Sequence, residues 1–231
     1  MRKLLVVLVA LLAVGAPASS GQAAIIELLE WGSNIDGAFT HDNYTDLGGV
    51  FTPAPAPGSP WNVAGFDMAT GLGTIFATIS TPGAHYVGLY LDQDIDSTIN
   101  TFFNEVGSFT GFLAPGQSGQ IDDPFGSIFG NIQAGTLDNT NWSSSPGDVS
   151  MSLAWDFTVA GGDSLDLLFV TSLAPIPGFN LILTDPDSGA SVYFASEVRL
   201  SGEVPVPEPS MLVLVGTGFG WFALLRKRMK R

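Results

Sequence analysis

Carboxylates at alternate positions are the feature of this sequence that most directly indicates chemistry. In the run Asp92-Gln93-Asp94-Ile95-Asp96-Ser97, one residue separates each Asp from the next. Oxygen ligands spaced in this way can converge on a hard cation, and three like charges so close repel one another when no cation is present. The run therefore predicts a calcium site whose ligands are Asp92, Asp94 and Asp96.

The match to a helix-loop-helix calcium loop is partial. Ser97 stands where that loop has its glycine, Phe103 stands where it has a bidentate glutamate, and Glu105 comes two residues late. A chain with 22 Asp and Glu residues can also place three of them together on a solvated loop. Both interpretations stay open, and we predict no cofactor besides calcium.

Signatures of enzymes are sparse. His41 and His85 are the two histidines, and there is no cysteine, no Gly-x-Ser-x-Gly elbow and no His-Glu-x-x-His motif. The stretch Gly71-Leu72-Gly73-Thr74 is too short, and lacks the context, for phosphate binding. We interpret His85, in AHYVGLYL, as a strand residue and His41, in THDNYTD, as the more exposed loop residue. We predict that the chain is not an enzyme, with a secreted hydrolase that uses paired carboxylates as the less favoured alternative.

Tryptophan side chains provide the main alternative function, a carbohydrate-binding module. Trp142, in the polar stretch NTNWSSS, is the best candidate for contact with a glycan, and Trp61 is the next. The competing interpretation of Trp142 is a loop anchor that packs on the rim of the fold. Trp155 belongs to an apolar strand face and is expected in the core.

The elements that must position these residues are β-strands. From Val149 to Ala160, apolar and small or polar residues alternate with the period of a half-buried strand. Gly161-Gly162-Asp163 then predicts a tight turn into Ser164–Leu173, and 185–189 predicts a second turn between FNLILT and SVYFASEVRLSG, so we expect two β-hairpins. Further short apolar runs lie upstream, at 25–31, 61–66, 74–80, 85–91 and 108–113. Together the strands predict an all-β fold, an antiparallel β-sandwich of jelly-roll-like or Ig-like kind over residues 24–204.

Charge is divided sharply along the chain. Residues 24–209 hold all 22 Asp and Glu residues but only one of the eight Lys and Arg residues, Arg199, which gives this segment a formal charge of −21. Such a surface repels phosphate backbones, so nucleic acid is excluded as a partner. Arg199 either pairs with a partly buried carboxylate or lies exposed on a strand.

The amino terminus has the order of a secretory signal peptide. Arg2 and Lys3 precede an apolar run from Leu4 to Val14 and then small residues. We place the signal at 1–23, with cleavage after Ala23 and an earlier cut at Ala18 as the alternative. The segment predicts export through the Sec machinery.

The carboxyl terminus, 205–231, has three parts in a fixed order. Pro207-Glu208-Pro209 comes first, an uncharged stretch from 211 to 225 follows, and a basic end closes the chain with Arg226, Lys227, Arg228, Lys230 and Arg231. At 1.5 Å per residue a helix over 211–225 is about 22 Å long, a short transmembrane anchor for a hydrocarbon core of about 30 Å. The basic residues are expected on the cytoplasmic side, which leaves the acidic body outside the membrane.

These three parts resemble the PEP-CTERM sorting tail of exported bacterial proteins. The resemblance covers about the last 26 residues, and it is specific because the parts stand in the right order at the terminus of a chain that begins with a signal peptide. It implies exosortase, a membrane-embedded processing enzyme, as a partner, and a product associated with exopolysaccharide, biofilm or floc. We therefore expect transient residence in the inner membrane, with the body on the periplasmic side. Delivery to the cell surface or extracellular matrix follows, where the expected role is structural or adhesive.

Overall fold

The computed structural model describes residues 24–43, 60–96, 101, 103–141 and 145–201. The predicted signal peptide (1–23), Trp142 and the predicted sorting tail (205–231) lie outside the described residues. Within the described ranges, no helix has the length and apolar character needed to span a membrane.

Strands account for most of the regular structure. Over its described residues the chain forms eleven strands and one short helix: β1 (Ile26–Ile35), β2 (Ala38–Asn43), β3 (Trp61–Asp67), β4 (Leu72–Ile79), β5 (Gly83–Ile95), β6 (Val106–Thr110), β7 (Gln117–Asp122), α1 (Ile128–Ala134), β8 (Ser150–Val159), β9 (Leu165–Ser172), β10 (Asn180–Thr184) and β11 (Ser191–Leu200).

The strands form two sheets. The first has the order β2-β1-β5-β8-β7 and the second the order β3-β4-β9-β11-β10-β6. Every pairing between neighbouring strands is antiparallel. The predicted all-β class and the two-sheet sandwich are thus confirmed.

The core lies between the two sheets because alternate side chains of each strand point inward. From β5 of the first sheet, Leu89 and Leu91 are buried in the same apolar cluster as Phe169 and Phe194 of the second sheet. Trp155 belongs to this cluster and is 6% exposed. The prediction that Trp155 is a core residue is confirmed.

One of the two predicted hairpins is wrong. The strands β8 and β9 exist where the alternation predicts them, but β8 pairs with β5 and β7 while β9 pairs with β4 and β11. The turn after β8 therefore carries the chain from one sheet to the other, and the apolar faces of both strands meet across the core. The second predicted hairpin, β10 with β11, is confirmed by their antiparallel pairing.

A short helix covers the outer face of the first sheet. Ile128 and Ile132, one turn apart on α1, are buried against Tyr90 and Ala154. The Asn34 side chain of β1 donates to the carbonyls of Ile132 at 2.8 Å and Gln133 at 2.9 Å. The seven residues of α1 make too short an apolar stripe to predict a helix from the sequence, although the glycine after it, at 135, is a usual helix-ending residue.

Candidate functional site

An acidic cluster lies at one end of the first sheet. Asp92 of β5 is opposite Ser150, the first residue of β8, so β5 runs three residues past its neighbour. The amide of Ile95 donates instead to Glu105 Oε1 at 3.0 Å. We call Asp92, Asp94, Glu105 and Asp148 the acidic cluster.

Glu105 enters the cluster because it pairs with the segment that precedes β8. It forms an isolated antiparallel bridge with Gly147, whose amide donates to the Glu105 carbonyl at 3.0 Å. Asp148 follows directly in the chain. The end of β5 is thus completed by two segments that are distant in sequence, and each of them brings a carboxylate.

Asp94 and Glu105 are the most deeply buried pair of the acidic cluster. They are 2% and 1% exposed, and their carboxyl groups lie within hydrogen-bonding reach of each other. In the part of the chain that the structure describes, Asp94 Oδ2 and Glu105 Oε2 are buried and receive no hydrogen bond from an N–H or hydroxyl donor. Burial raises the pKa of Asp94 to about 8, with repulsion from Glu105 as the next cause, and burial also raises the pKa of Glu105.

The other two members of the acidic cluster are perturbed in the same direction. Burial raises the pKa of Asp92 well above its usual range, and the charges of Asp148 and Glu30 raise it further. Burial raises the pKa of Asp148 to about 7, and the charges of Asp123 and Glu105 add to the effect. Near neutral pH the acidic cluster therefore favours any bound positive charge, either a proton or a cation.

The predicted calcium ligands do not occupy one common position. Asp92 and Asp94 lie on the same face of β5, two residues apart, and both belong to the acidic cluster. Asp96 follows the strand with a positive φ of 59°, and its Oδ1 accepts the amide of Ile25 at 2.7 Å. Among the described residues, no group of three or more His, Cys, Asp and Glu side chains is arranged to hold a metal ion. The calcium site formed by all three Asp residues stays a prediction.

A hydrogen-bonded chain of polar side chains adjoins the acidic cluster. The Tyr90 hydroxyl donates to Glu30 Oε2 at 2.9 Å and lies 2.9 Å from Ser150 Oγ. His41 Nε2 contacts Glu30 Oε1. Tyr90 and Ser150 are fully buried, so this chain of contacts connects β2, β1, β5 and β8 on the outer face of the first sheet.

Replacing Tyr90 with Phe is expected to destabilise the protein. The change removes the one hydroxyl that contacts both Glu30 and Ser150, and a partly buried carboxylate oxygen loses its donor. We expect the free energy of unfolding to fall by about 1–2 kcal/mol, measured by urea denaturation.

The matched control is Tyr193→Phe, since Tyr193 is a half-buried tyrosine of β11. A loss in Tyr90→Phe no larger than in this control would contradict a stabilising role for the hydroxyl of Tyr90.

The two histidines differ from expectation in one respect. The prediction that His85 is a strand residue is confirmed, since it lies in β5, whereas the prediction that His41 is a loop residue is wrong, because His41 lies in β2 opposite Gly32. The side chain of His41 is 20% exposed and that of His85 is 8% exposed. His85 Nδ1 lies 2.7 Å from Asp36 Oδ2, and this hydrogen bond raises the pKa of His85.

The candidate glycan contacts have different outcomes. Trp61 is 8% exposed and its ring lies 5.9 Å from that of Phe169, so little of its surface faces solvent. Trp142 lies outside the described residues. A glycan contact by either residue stays a prediction.

Arg199 has an ordinary surface environment. Its guanidinium lies 3.4 Å from Glu197 on the same strand, and its side chain is 32% exposed while that of Glu197 is 56% exposed. The interpretation of Arg199 as an exposed strand residue is therefore the better one, and an exposed pair of this kind contributes little stability.

The sequence alone did not group Glu105 and Asp148 with Asp94. Glu105 and Asp148 are separated from it by loops, and no local spacing connects the three residues. The only sequence signal for Glu105 is that it lies two residues after the position at which a calcium loop has its bidentate glutamate. For Glu30, which contacts Tyr90 and His41, the sequence indicates only that it lies in a short apolar run.

Comparison of the chain with protein-family models, with curated proteins and with solved structures gives no match.

Proposed function

We propose that this chain is an exported protein that is sorted through its carboxyl-terminal tail by exosortase and delivered to the cell surface or extracellular matrix. The observation that carries the proposal is the tail itself: Pro207-Glu208-Pro209, then the uncharged stretch 211–225, then the basic end 226–231. Prolines on both sides of Glu208 prevent a helix from continuing and favour an extended peptide, the form that a processing enzyme binds. The amino-terminal signal and Sec export complete the pathway.

The last described residue lies at a defined end of the sandwich. Leu200 pairs with Leu165, and the Ser201 amide donates to the Ser164 carbonyl at 2.7 Å, beyond the end of β8. The acidic cluster lies at the start of β8, the other end of the sandwich. The last described residue, Ser201, therefore lies at the end of the sandwich opposite the acidic cluster.

The role of the body in this proposal is structural or adhesive, in association with exopolysaccharide or biofilm. Consecutive strands lie in opposite sheets at β2–β3, β4–β5, β5–β6, β6–β7 and β8–β9, and we assign the sandwich to the jelly-roll-like kind on that basis. A body with a formal charge of −21 over residues 24–209 also stays soluble outside the cell.

Mass spectrometry of the mature protein from its native cells tests the sorting step. We expect a product that has lost the stretch 211–231, since exosortase is expected to cut near the triplet. Replacing Pro207, Glu208 and Pro209 with alanine is expected to leave the tail intact and the protein in the membrane fraction.

The chain offers a matched control in Pro175-Ile176-Pro177, another pair of prolines around one residue, which lies between β9 and β10. Alanine at these three positions is expected to leave processing unchanged. A mature parent protein that ends at Arg231 would overturn the sorting proposal.

A further inference from the structure

We propose that Asp94 and Glu105 bind a calcium ion between their carboxyl groups at the end of β5. The two carboxyl groups lie within hydrogen-bonding reach of each other, and Asp94 Oδ2 and Glu105 Oε2 are buried and receive no hydrogen bond from an N–H or hydroxyl donor of the described residues. The proposal is independent of the sorting tail.

The unpartnered oxygens are the observation that indicates a ligand. Buried polar atoms of proteins are nearly always hydrogen-bonded, and a buried carboxylate without a partner loses its hydration without compensation. Here two such oxygens belong to carboxyl groups that face each other, at residues that are 2% and 1% exposed. Glu105 Oε1 is already occupied by the amide of Ile95, so Glu105 Oε2 remains for a ligand, together with Asp94 Oδ2.

A divalent cation suits this position better than a single shared proton. Asp92 and Asp148 lie in the same acidic cluster, and each adds to the negative charge around the pair when it is ionised. One proton cancels one charge of the pair, whereas a divalent cation cancels both.

Calcium is the cation that this donor set favours. The donors are carboxylate oxygens, and the chain has no cysteine, which selects a hard cation over a thiolate-binding one. Calcium accepts irregular coordination, with backbone carbonyls and water among its ligands, while magnesium requires a near-ideal octahedron. Since the described residues hold no ready group of three acidic or histidine ligands, such oxygens would complete the calcium shell around Asp94 and Glu105.

This site differs from the one that the sequence predicts. Asp94 is common to both, but Glu105 replaces Asp96, whose carboxylate is engaged with the Ile25 amide. The ligands thus come from two segments that meet only in the folded protein, and calcium would bind together the end of β5 and the start of β6.

Thermal unfolding of the full chain at about pH 8, after removal of metals with EDTA, tests the site. With about 10 mM calcium chloride, we expect a rise in Tm of roughly 3–6 °C, on the assumption of a Kd near 1 mM as in extracellular calcium modules. Sodium chloride of equal ionic strength is expected to give no comparable rise. Isothermal titration calorimetry with calcium chloride measures the binding directly.

The variants Asp94→Asn and Glu105→Gln are expected to lose the calcium response. Both keep the size of the side chain, and in Glu105→Gln the side-chain amide oxygen can still accept a hydrogen bond from the amide of Ile95. Asp94→Asn is also expected to have a higher Tm than the parent in EDTA, because it removes a repelling charge. A Tm at or above that of the parent in EDTA shows that Asp94→Asn folds, so that a lost calcium response is not caused by unfolding.

The matched control is Asp163→Asn, which removes the same charge from an exposed turn at the other end of the sandwich and is expected to keep the full calcium response. The proposal is overturned if the parent shows no calcium-dependent rise or if Asp94→Asn keeps one. A pH-dependent Tm without any effect of calcium would identify a shared proton instead, which also overturns it.

Discussion

In EDTA, the Tm of this protein is expected to fall by on the order of 10 °C between about pH 5.5 and about pH 8. The reason is that burial and mutual repulsion raise the pKa values of Asp92, Asp94, Glu105 and Asp148, to about 8 for Asp94 and about 7 for Asp148. In the unfolded chain these groups release their protons near pH 4. Between pH 4 and the folded pKa values, the folded state therefore holds more protons than the unfolded state, and its stability declines as pH rises.

The interval from pH 5.5 to pH 8 isolates this effect from the rest of the acidic surface. Carboxylates with ordinary pKa values are already ionised at the lower limit, so their repulsion changes little across the interval. The charges that face the acidic cluster come from several elements: Glu27 and Glu30 on β1, Asp123 after β7 and Asp185 after β10.

His85 changes stability in the same direction and needs its own control. Its pKa is raised by the hydrogen bond to Asp36, so its contribution is complete below about pH 6.5 and is lost as the pH rises through the folded pKa. Asp36→Asn removes this contribution while the acidic cluster stays intact. Asp94→Asn changes the acidic cluster and leaves the contribution of His85 intact. We expect it to reduce the fall in Tm between pH 5.5 and pH 8 more than Asp36→Asn does. A parent Tm that is constant or rises across the interval would contradict the raised pKa values.

The fold was largely predictable because alternation is a local property. Leu153, Trp155 and their neighbours in β8 show the period of two that buries one face, and the structure buries it. The pairing of strands is not a local property. A turn such as Gly161-Gly162-Asp163 has the same residues whether it joins two strands of one sheet or carries the chain between sheets. The local pattern therefore predicts the strands β8 and β9 correctly, but it does not determine whether they pair with each other.

The acidic cluster was only partly predictable for a related reason. The spacing of Asp92 and Asp94 within one run is a property of the sequence itself, and it predicts that the two carboxylates lie on one face of a strand. Glu105 reaches them because β8 begins opposite Asp92 and leaves the Ile95 amide to be bound by another group. Strand register decides that geometry, and register depends on pairings between residues far apart in the chain.

Replacing Gly73 with Ala is expected to destabilise the protein by at least about 3 kcal/mol, or roughly 6–12 °C in Tm. Gly73 has a φ of +118°, and a Cβ added there would lie 2.1 Å from the carbonyl oxygen of Gly65 on β3. Two costs combine, because an L side chain strains this backbone conformation and the clash is with backbone that cannot rotate away. β3 already has an irregular register between Asn62 and Gly65, so the strand pair has to separate to make room. Thermal unfolding followed by circular dichroism measures the loss.

Gly162→Ala separates the two costs. Gly162 also has a positive φ, of +94°, but a Cβ there would meet no atom within 4 Å. We expect Gly162→Ala to cost about 1 kcal/mol, from backbone strain alone. If the two variants lose equal stability, close packing of β4 on β3 does not explain Gly73. If Gly73→Ala loses clearly more, close packing of β4 on β3 explains the glycine at this position. Gly71 also has a positive φ, of +68°, but a Cβ there would meet Gln93 and Leu28.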